Sequence, residues 1–338
     1  MQNNPLISFC FTTYRRHDYL KKTLESVKLQ SYTNFEVIVS DNDPEASGKS
    51  VVEGVNDSRF KYFTNEENLG MKKSFNRSLA LSTGEFIVMI ADDDPVYPDM
   101  LETLVNLYNQ HPGYGMYLGG SNYFFTNPDI AKLCGTKVGM NSCLANIQTD
   151  TVRTFSPSEF LKEFFDLKIF PAYLWSVGMV NKEILVKQGG VPDYNTPFLG
   201  DYAYLSIMGS HSGCAVINKP LGHQTVHEQN FGRAQNDQLL HVGPNFIKYV
   251  SERIRHVEDW SIIEKKMRHF VGSWLVTHLT FLHNYYSIFD KKELGSIRQV
   301  EENIFGLDLM KPYKMKYFLK VHYPTIHDLL VKVKSNFN

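Results

Sequence analysis

Three adjacent aspartates, Asp92, Asp93 and Asp94, follow an unbroken apolar run at residues 86–90 and precede Pro95. Carboxylates packed that tightly repel one another unless a cation or hydrogen-bond donors collect them. A hard divalent ion such as Mg²⁺ or Mn²⁺ takes oxygen ligands and commonly shares its site with phosphates. Asp94 has a second reading, as the cap of a following helix. A further acidic string, Ser40-Asp41-Asn42-Asp43, ends the apolar run 35–39, where Asp41 would accept hydrogen bonds from a base or ribose. Its alternative is an Asx-type turn into Pro44.

Thr12-Thr13-Tyr14-Arg15-Arg16 closes the run 6–11. There Thr12 and Tyr14 would hold and stack a nucleobase and Arg15 would touch phosphate, unless the string is a polar loop with surface arginines. Asn68-Leu69-Gly70, ahead of a helix with Lys72, Lys73 and Asn76, offers an anion a helix N-terminus and cations, or is a plain helix start.

Side chains so far apart in sequence meet only if the strands before them lie side by side. Short apolar runs at 6–11, 35–39, 60–63 and 86–90 alternate with helical patterns at 19–29, around 51–55, at 72–81 and at 100–108. That alternation predicts a doubly wound, mostly parallel α/β sheet. Ligands of such sheets bind beyond the carboxyl ends of the strands, where Asp41 and Asp92 both fall. Residues 113–155, rich in Gly, Asn, Ser and Thr, read as an insertion or loops. Helix is expected at 160–167 and 202–208, a strand at 174–180, and helix from 239 onward. Two divisions result: 1–237 as the catalytic domain and 238–338 as a helical appendage.

The 338 residues are 43% hydrophobic, enough for a large core, and the net charge of −1 argues against a nucleic-acid binder. The charge is uneven, however. Residues 238–338 hold 15 Lys/Arg against 10 Asp/Glu, whereas residues 1–237 hold 20 against 26. An acidic region suits a cation site, and a basic one suits an anionic surface. Cys10, Cys134, Cys143 and Cys214 have neither disulfide-framework nor zinc spacing, which suggests a reducing cytoplasm. No signal peptide is evident, and the apolar stretch 270–289 is broken by His278, His283 and Asn284.

Taken in order, these strings resemble the family 2 glycosyltransferases of the GT-A (Rossmann-like) fold. Thr12-Thr13-Tyr14-Arg15 matches the family's first loop, Ser40-Asp41 keeps the second member of its acidic pair, and Asn68-Leu69-Gly70 matches its N-x-G. Gly84-Glu85-Phe86-Ile87 through Asp94 and Pro98 follows its D-x-D-D segment, with Ala91 at the first Asp position. The resemblance implies that Asp92 faces the ribose or donor sugar and that Asp93 binds metal with Asp94 beside it. More loosely, residues 180–191 and Gly200-Asp201-Tyr202 echo the segment that supplies the family's general base, which makes Asp201 the candidate; a helix N-cap is its other reading. His227, in His227-Glu228-Gln229-Asn230, would lie near the metal or pyrophosphate, with His223 as competitor.

The implied activity is an inverting transfer of sugar from a nucleoside diphosphate sugar, UDP favoured, to an acceptor hydroxyl, with Mn²⁺ or Mg²⁺. The acceptor would be a saccharide or a lipid-linked saccharide in polysaccharide or glycolipid assembly. Lys265, Lys266, Arg268, Lys311, Lys314, Lys316 and Lys320, interleaved with aromatics, suit peripheral contact with the inner face of the membrane. A solvated basic face or a homodimer through the same helices are the alternatives. A non-catalytic nucleotide-sugar binder is the rival function. A sugar-nucleotide nucleotidyltransferase is disfavoured, because its Gly-rich first loop is absent.

Overall fold

All seven residues of β1 (Ile7–Thr13) and of β2 (Phe35–Asp41) are buried, and so are five of six in β4 (Phe86–Ala91). Strands covered on both faces carry near-continuous apolar sequence. The computed structural model describes residues 3–133, 141–142, 150–169, 174–227, 238–292 and 294–335. Period-two alternation divides the core. Ile7, Phe9 and Phe11 point into one apolar cluster with Leu20, Leu24 and Val27 of α1 (His17–Lys28), Val52 of α2 (Lys49–Gly54) and Leu101 and Leu104 of α4 (Met100–Gln110). Cys10, Ile87 and Met89 point into the other, with Phe75 of α3 (Met71–Leu81), Phe160 of α6 (Pro157–Phe165) and Leu205 of α8 (Gly200–Ser212).

With β3 (Phe60–Thr64), the first four strands are parallel, in the order β3-β2-β1-β4. The chain steps outward from β1 to β3 and returns through α3 to the other side of β1. Strand order therefore reverses between β1 and β4, and a crevice opens at their carboxyl ends. The sheet continues through β8 (Gly178–Asn181), β5 (Met116–Phe125), β9 (Cys214–Val226) and β7 (Val152–Phe155), with β6 (Asn141–Ser142) beside β5. β8 is antiparallel to both β4 and β5, and β5 and β9 are parallel.

Three expectations are corrected here. The loops expected over 113–155 include the ten-residue strand β5, and β9 stands where no strand was expected. Gly119-Gly120 gave β5 the look of a loop, yet a Cβ at Gly119 would come within 2.2 Å of Leu221, so the glycine is a packing requirement of the β5–β9 pair. The strand expected at 174–180 is a 3₁₀ turn, Trp175–Val177, followed by β8. Short helices α5 (Pro128–Leu133) and α7 (Lys182–Lys187) complete this part.

Beyond it lie α9 (Leu239–Ile254), α10 (Trp260–Phe289), α11 (Leu294–Phe305), α12 (Lys314–His322) and α13 (Pro324–Ser335), helical as the pattern required. The second apolar cluster runs without a break from Phe75 and Phe160 into Phe246, Phe270 and Leu275, so α9 and α10 complete the sheet's core. The expected division at 237/238 borders residues outside the described set. No described helix is long and apolar enough to cross a membrane. Cys10 and Cys214 are free and buried, while Cys134 and Cys143 lie outside the described residues.

Candidate active site

The crevice between β1 and β4 is closed at its floor by Thr13, whose Oγ1 donates to Asp92 Oδ2 at 2.9 Å. The residue that precedes α1 swings a guanidinium across the rim. Arg16 Nη1 donates to Asp92 Oδ1 at 2.7 Å and Nη2 to Asp93 Oδ2 at 2.6 Å. The end of β9 brings His227 to the same point, its Nε2 3.0 Å from Asp93 Oδ2 and 2.9 Å from Arg16 Nη2. Tyr19 stacks on the imidazole with ring centroids 4.7 Å apart and also faces the Arg16 guanidinium. Of the two histidines offered by the sequence, His227 reaches the acids. His223 lies against Phe124 and Tyr97, and Asn230 lies outside the described residues.

The aspartate triplet avoids triple charge by giving each carboxyl a different environment. Burial pushes Asp92 up to about 7, against the pull of Arg16 and with the push of Asp93. Asp93 is buried too, but His227 and Arg16 outweigh that and hold it below the usual carboxylate range. Asp94, fully buried and beside Asp93 and Asp201, is raised well above that range. Its cap reading is corrected, because α4 begins at Met100 after Asp99. Its oxygens accept from the Thr225 N–H at 3.1 Å and Ser176 Oγ at 3.5 Å. Asp94 thus ties the end of β4 to the end of β9 beneath the rim.

Asp201 enters from the first turn of α8, close enough to Asp94 for their charges to interact. It is partly open to solvent, yet the surrounding protein pushes its carboxyl up to about 7. Leu199, just before that helix, holds a left-handed backbone at φ 60°, rare outside glycine. Strain of this kind persists only where surrounding contacts enforce it.

Several expected nucleotide ligands are engaged elsewhere. Asp41 is fully buried and accepts from the N–H groups of Asp43 and Gly48 and from Tyr62 Oη, so it pins its own loop, as the Asx-turn reading had it. Arg15 sits at φ 55°, which sends its side chain away from that of Arg16 and onto Asp43 at 3.0 and 3.1 Å. The arginine at the acids is therefore Arg16, one residue beyond the one singled out. Asn76 accepts from the N–H of Val191 and donates to its carbonyl, stapling α3 to the turn at Gly190, where φ is 79° and a Cβ would strike Asn76.

Thr12 donates to Ser74 Oγ, the hub of a buried polar network that includes Ser40, Asn65 and Asn42. Asn42 Oδ1 in turn accepts from the Leu69 N–H beside Gly70 (φ 78°). This network, which single positions in the sequence do not announce, holds the β1 and β2 ends and the start of α3 in one rigid floor. Tyr14, 41% exposed with the Arg15 guanidinium over its ring, and the exposed Lys73 stand above it, whereas Lys72 is taken by Asp193 and the Thr196 carbonyl.

Among the described residues no group of three or more His, Cys, Asp or Glu is placed to hold a metal. The pair that does converge fits one, however. Adjacent ligand atoms on a six-coordinate ion with bonds of about 2.1 Å stand roughly 3 Å apart, the spacing of Asp93 Oδ2 and His227 Nε2. An ion with few protein ligands suits a site completed by phosphates.

Residues 8–151 match the family model described as Glycosyl transferase family 2. The chain is 33% identical over 118 residues to the Campylobacter jejuni GalNAc(5)-diNAcBac-PP-undecaprenol beta-1,3-glucosyltransferase, covering 34% of this chain and 38% of that one. It is 35% identical over 108 residues to the Escherichia coli putative colanic acid biosynthesis glycosyl transferase WcaA, covering 31% and 38%. The match thus spans under two fifths of each relative. Staphylococcus aureus TarS 1-349 superposes with a TM-score of 0.59 at 17% identity, over 97% of this chain and 87% of that one. The fold is GT-A, with a helical C-terminal region.

Proposed function

We propose that this chain, whose residues 8–151 match the Glycosyl transferase family 2 model, is a metal-dependent inverting glycosyltransferase. It would move a sugar from a nucleoside diphosphate donor to an acceptor hydroxyl. One observation carries the reading: His227 meets Asp93, 134 residues before it in sequence, at the switch point of the sheet, and Asp201 lies near enough to Asp94 for their charges to interact.

Asp201 supplies the base. An acceptor hydroxyl is a weak nucleophile, and a carboxylate with a pKa near 7 takes its proton effectively at neutral pH. Attack from the face opposite the leaving group is a single displacement and inverts the anomeric centre. Asp93 and His227 would hold Mn²⁺ or Mg²⁺, which when bound neutralises charge on the departing diphosphate. Asp92, fixed by Thr13 and Arg16, is set to accept from ribose or sugar hydroxyls. Tyr14 offers a face to the base, and Lys73 with the Gly70 turn offers positive potential to the phosphates.

Coarser properties follow the relatives. TarS in complex with UDP-GlcNAc supports a UDP-sugar donor, and a Pyrobaculum calidifontis mannosyltransferase with GDP-Man and Mn²⁺ supports a divalent ion. The undecaprenol-linked substrate in the Campylobacter name supports a lipid-linked saccharide acceptor, and with it action at the inner face of the membrane.

The test has two parts. A panel of UDP, GDP, dTDP and CMP sugars is screened for a Mn²⁺-dependent rise in melting temperature and for transfer, and at least one should give both. Asp201→Asn should then lower transfer by about 10³-fold and leave nucleotide binding intact. A variant that still transferred at the wild-type rate would remove Asp201 from the mechanism, and a panel with binding but no transfer would favour a non-catalytic binder.

A further inference from the structure

An amphipathic helix on a folded domain ordinarily buries its apolar stripe. α12 and α13 do the reverse. Met315 and Phe318 on α12, Tyr323 at the joint, and Ile326, Leu329 and Leu330 on α13 are each between 45% and 67% exposed. Their spacing of three and four residues places each helix's set on one side. The two sets are continuous, since the Phe318 and Tyr323 rings lie 5.7 Å apart across the joint. On α12 the opposite side faces protein, whereas α13 is open on its other side too, at Asp328 and Val331. Tyr317 is buried against Phe305, and Lys320 and His327 line a cavity of about 820 Å³ shared with Trp274 and Phe281 of α10. A contiguous outward apolar face of this kind marks an interaction surface.

Charge selects the occupant. Lys314 and Lys316 flank Met315 in sequence and are exposed and half-buried respectively, and neither has an ion pair among the described residues. Lys311 lies just upstream and pairs only with Asp308, at 2.6 Å, where both groups are open to solvent. Hydrocarbon flanked by uncompensated ammonium groups matches a bilayer interface, in which apolar side chains enter the acyl boundary and lysines meet anionic headgroups. A second copy of this chain would set lysine against lysine around the same apolar strip. We propose that the outer face of α12 and α13 docks the protein on an anionic lipid surface. The contact is peripheral, as two helices of 9 and 12 residues lying flat would make it.

The test needs neither donor nor acceptor, so it stands apart from the catalytic reading. The full chain is sedimented with phosphatidylcholine vesicles with and without phosphatidylglycerol. Wild type should partition onto the anionic vesicles, and more weakly as salt is raised. Ile326→Asp with Leu330→Asp should abolish partitioning with an unchanged melting temperature, since both side chains are already exposed. Lys314→Gln with Lys316→Gln should weaken it about fivefold for each lysine. Partitioning of the aspartate variant equal to wild type overturns the proposal. So does absence of wild-type binding, or a wild-type dimer that the aspartate variant dissociates while neither form binds vesicles.

Discussion

The rim of the sheet and the helical end of the chain break opposite rules. At the rim, Asp92, Asp93 and Asp94 are each under a tenth exposed, and the cation that gathers two of them is the protein's own Arg16. At the helical end, Ile326, Leu329 and Leu330 lie open to water. Buried charge and exposed hydrocarbon are both unfavourable for an isolated folded chain. On the two proposals above, contact with something outside the chain would relieve each cost: a cation and a diphosphate at one end, a lipid surface at the other. The pairing of an acidic first part with a basic last part is the same contrast at the level of composition.

The sharpest break of that contrast is chemical. If Asp201 is the base, Asp201→Asn should lower transfer by about 10³-fold, within the usual span for general base catalysis. The wild-type rate should rise with pH through about 7, where the Asp201 carboxyl ionises. A flat rate profile between pH 6 and 8 would count against it. The same substitution should stabilise the protein. The folded-state pKa is raised, so between 3.8 and about 7 the native state holds a proton that the unfolded chain has lost, and wild-type stability falls across that window as pH rises. Asparagine carries no such penalty. The variant should match wild type near pH 4 and exceed it by on the order of 2 kcal/mol at pH 8, measured by urea unfolding, after discounting for the solvent that reaches this position. A variant less stable than wild type at pH 8 would mean that Asp201 has a structural partner.

How far the sequence reached depended on whether the decisive contact was local. Strands β1, β2 and β4 were legible because burial on both faces writes itself as unbroken apolar runs. The aspartate triplet was legible because it ends one of them. β5 and β9 were not, because Gly119 answers to Leu221, about a hundred residues away, and a glycine pair without its partner looks like a turn. The choice between Arg15 and Arg16 was equally closed to pattern. It rests on one left-handed residue, and either arginine fits the loop by chemistry. Asp41 shows a local rule winning: its Asx turn was the ordinary expectation for Asp-x-Asp before proline, and its carboxylate is spent there.

Arg16 offers a finer test of the rim. Its Nη2 lies 2.6 Å from Asp93 Oδ2 and 2.9 Å from His227 Nε2, the two atoms proposed to hold a divalent ion, so guanidinium and metal would compete for one position. Arg16→Ala should therefore tighten Mn²⁺ binding in the absence of nucleotide, on the order of tenfold, by electron paramagnetic resonance titration. It should lower the melting temperature of the metal-free protein, because Asp92 and Asp93 lose the charge that offsets their burial. Weaker Mn²⁺ binding in the variant would show instead that Arg16 organises the ligands and leaves room for the ion.

The smallest expected effect lies at the other end, and its smallness is the argument. Leu329 is 62% and Leu330 53% exposed, so unfolding adds little apolar area at either position. Burial contributes about 25 cal/mol per Å² removed from water, and side chains already in water gain little of it on folding. Replacing both with glutamine should shift stability by no more than about 0.5 kcal/mol, the range of ordinary surface substitutions. The same pair of changes at Leu275 and Leu279 of α10, both fully buried, should cost several kcal/mol, as cavities and unsatisfied amides do. A loss at Leu329 and Leu330 comparable to that at α10 would mean that the outer face is covered in the folded protein, and the contrast between the two regions would collapse to a difference in charge alone.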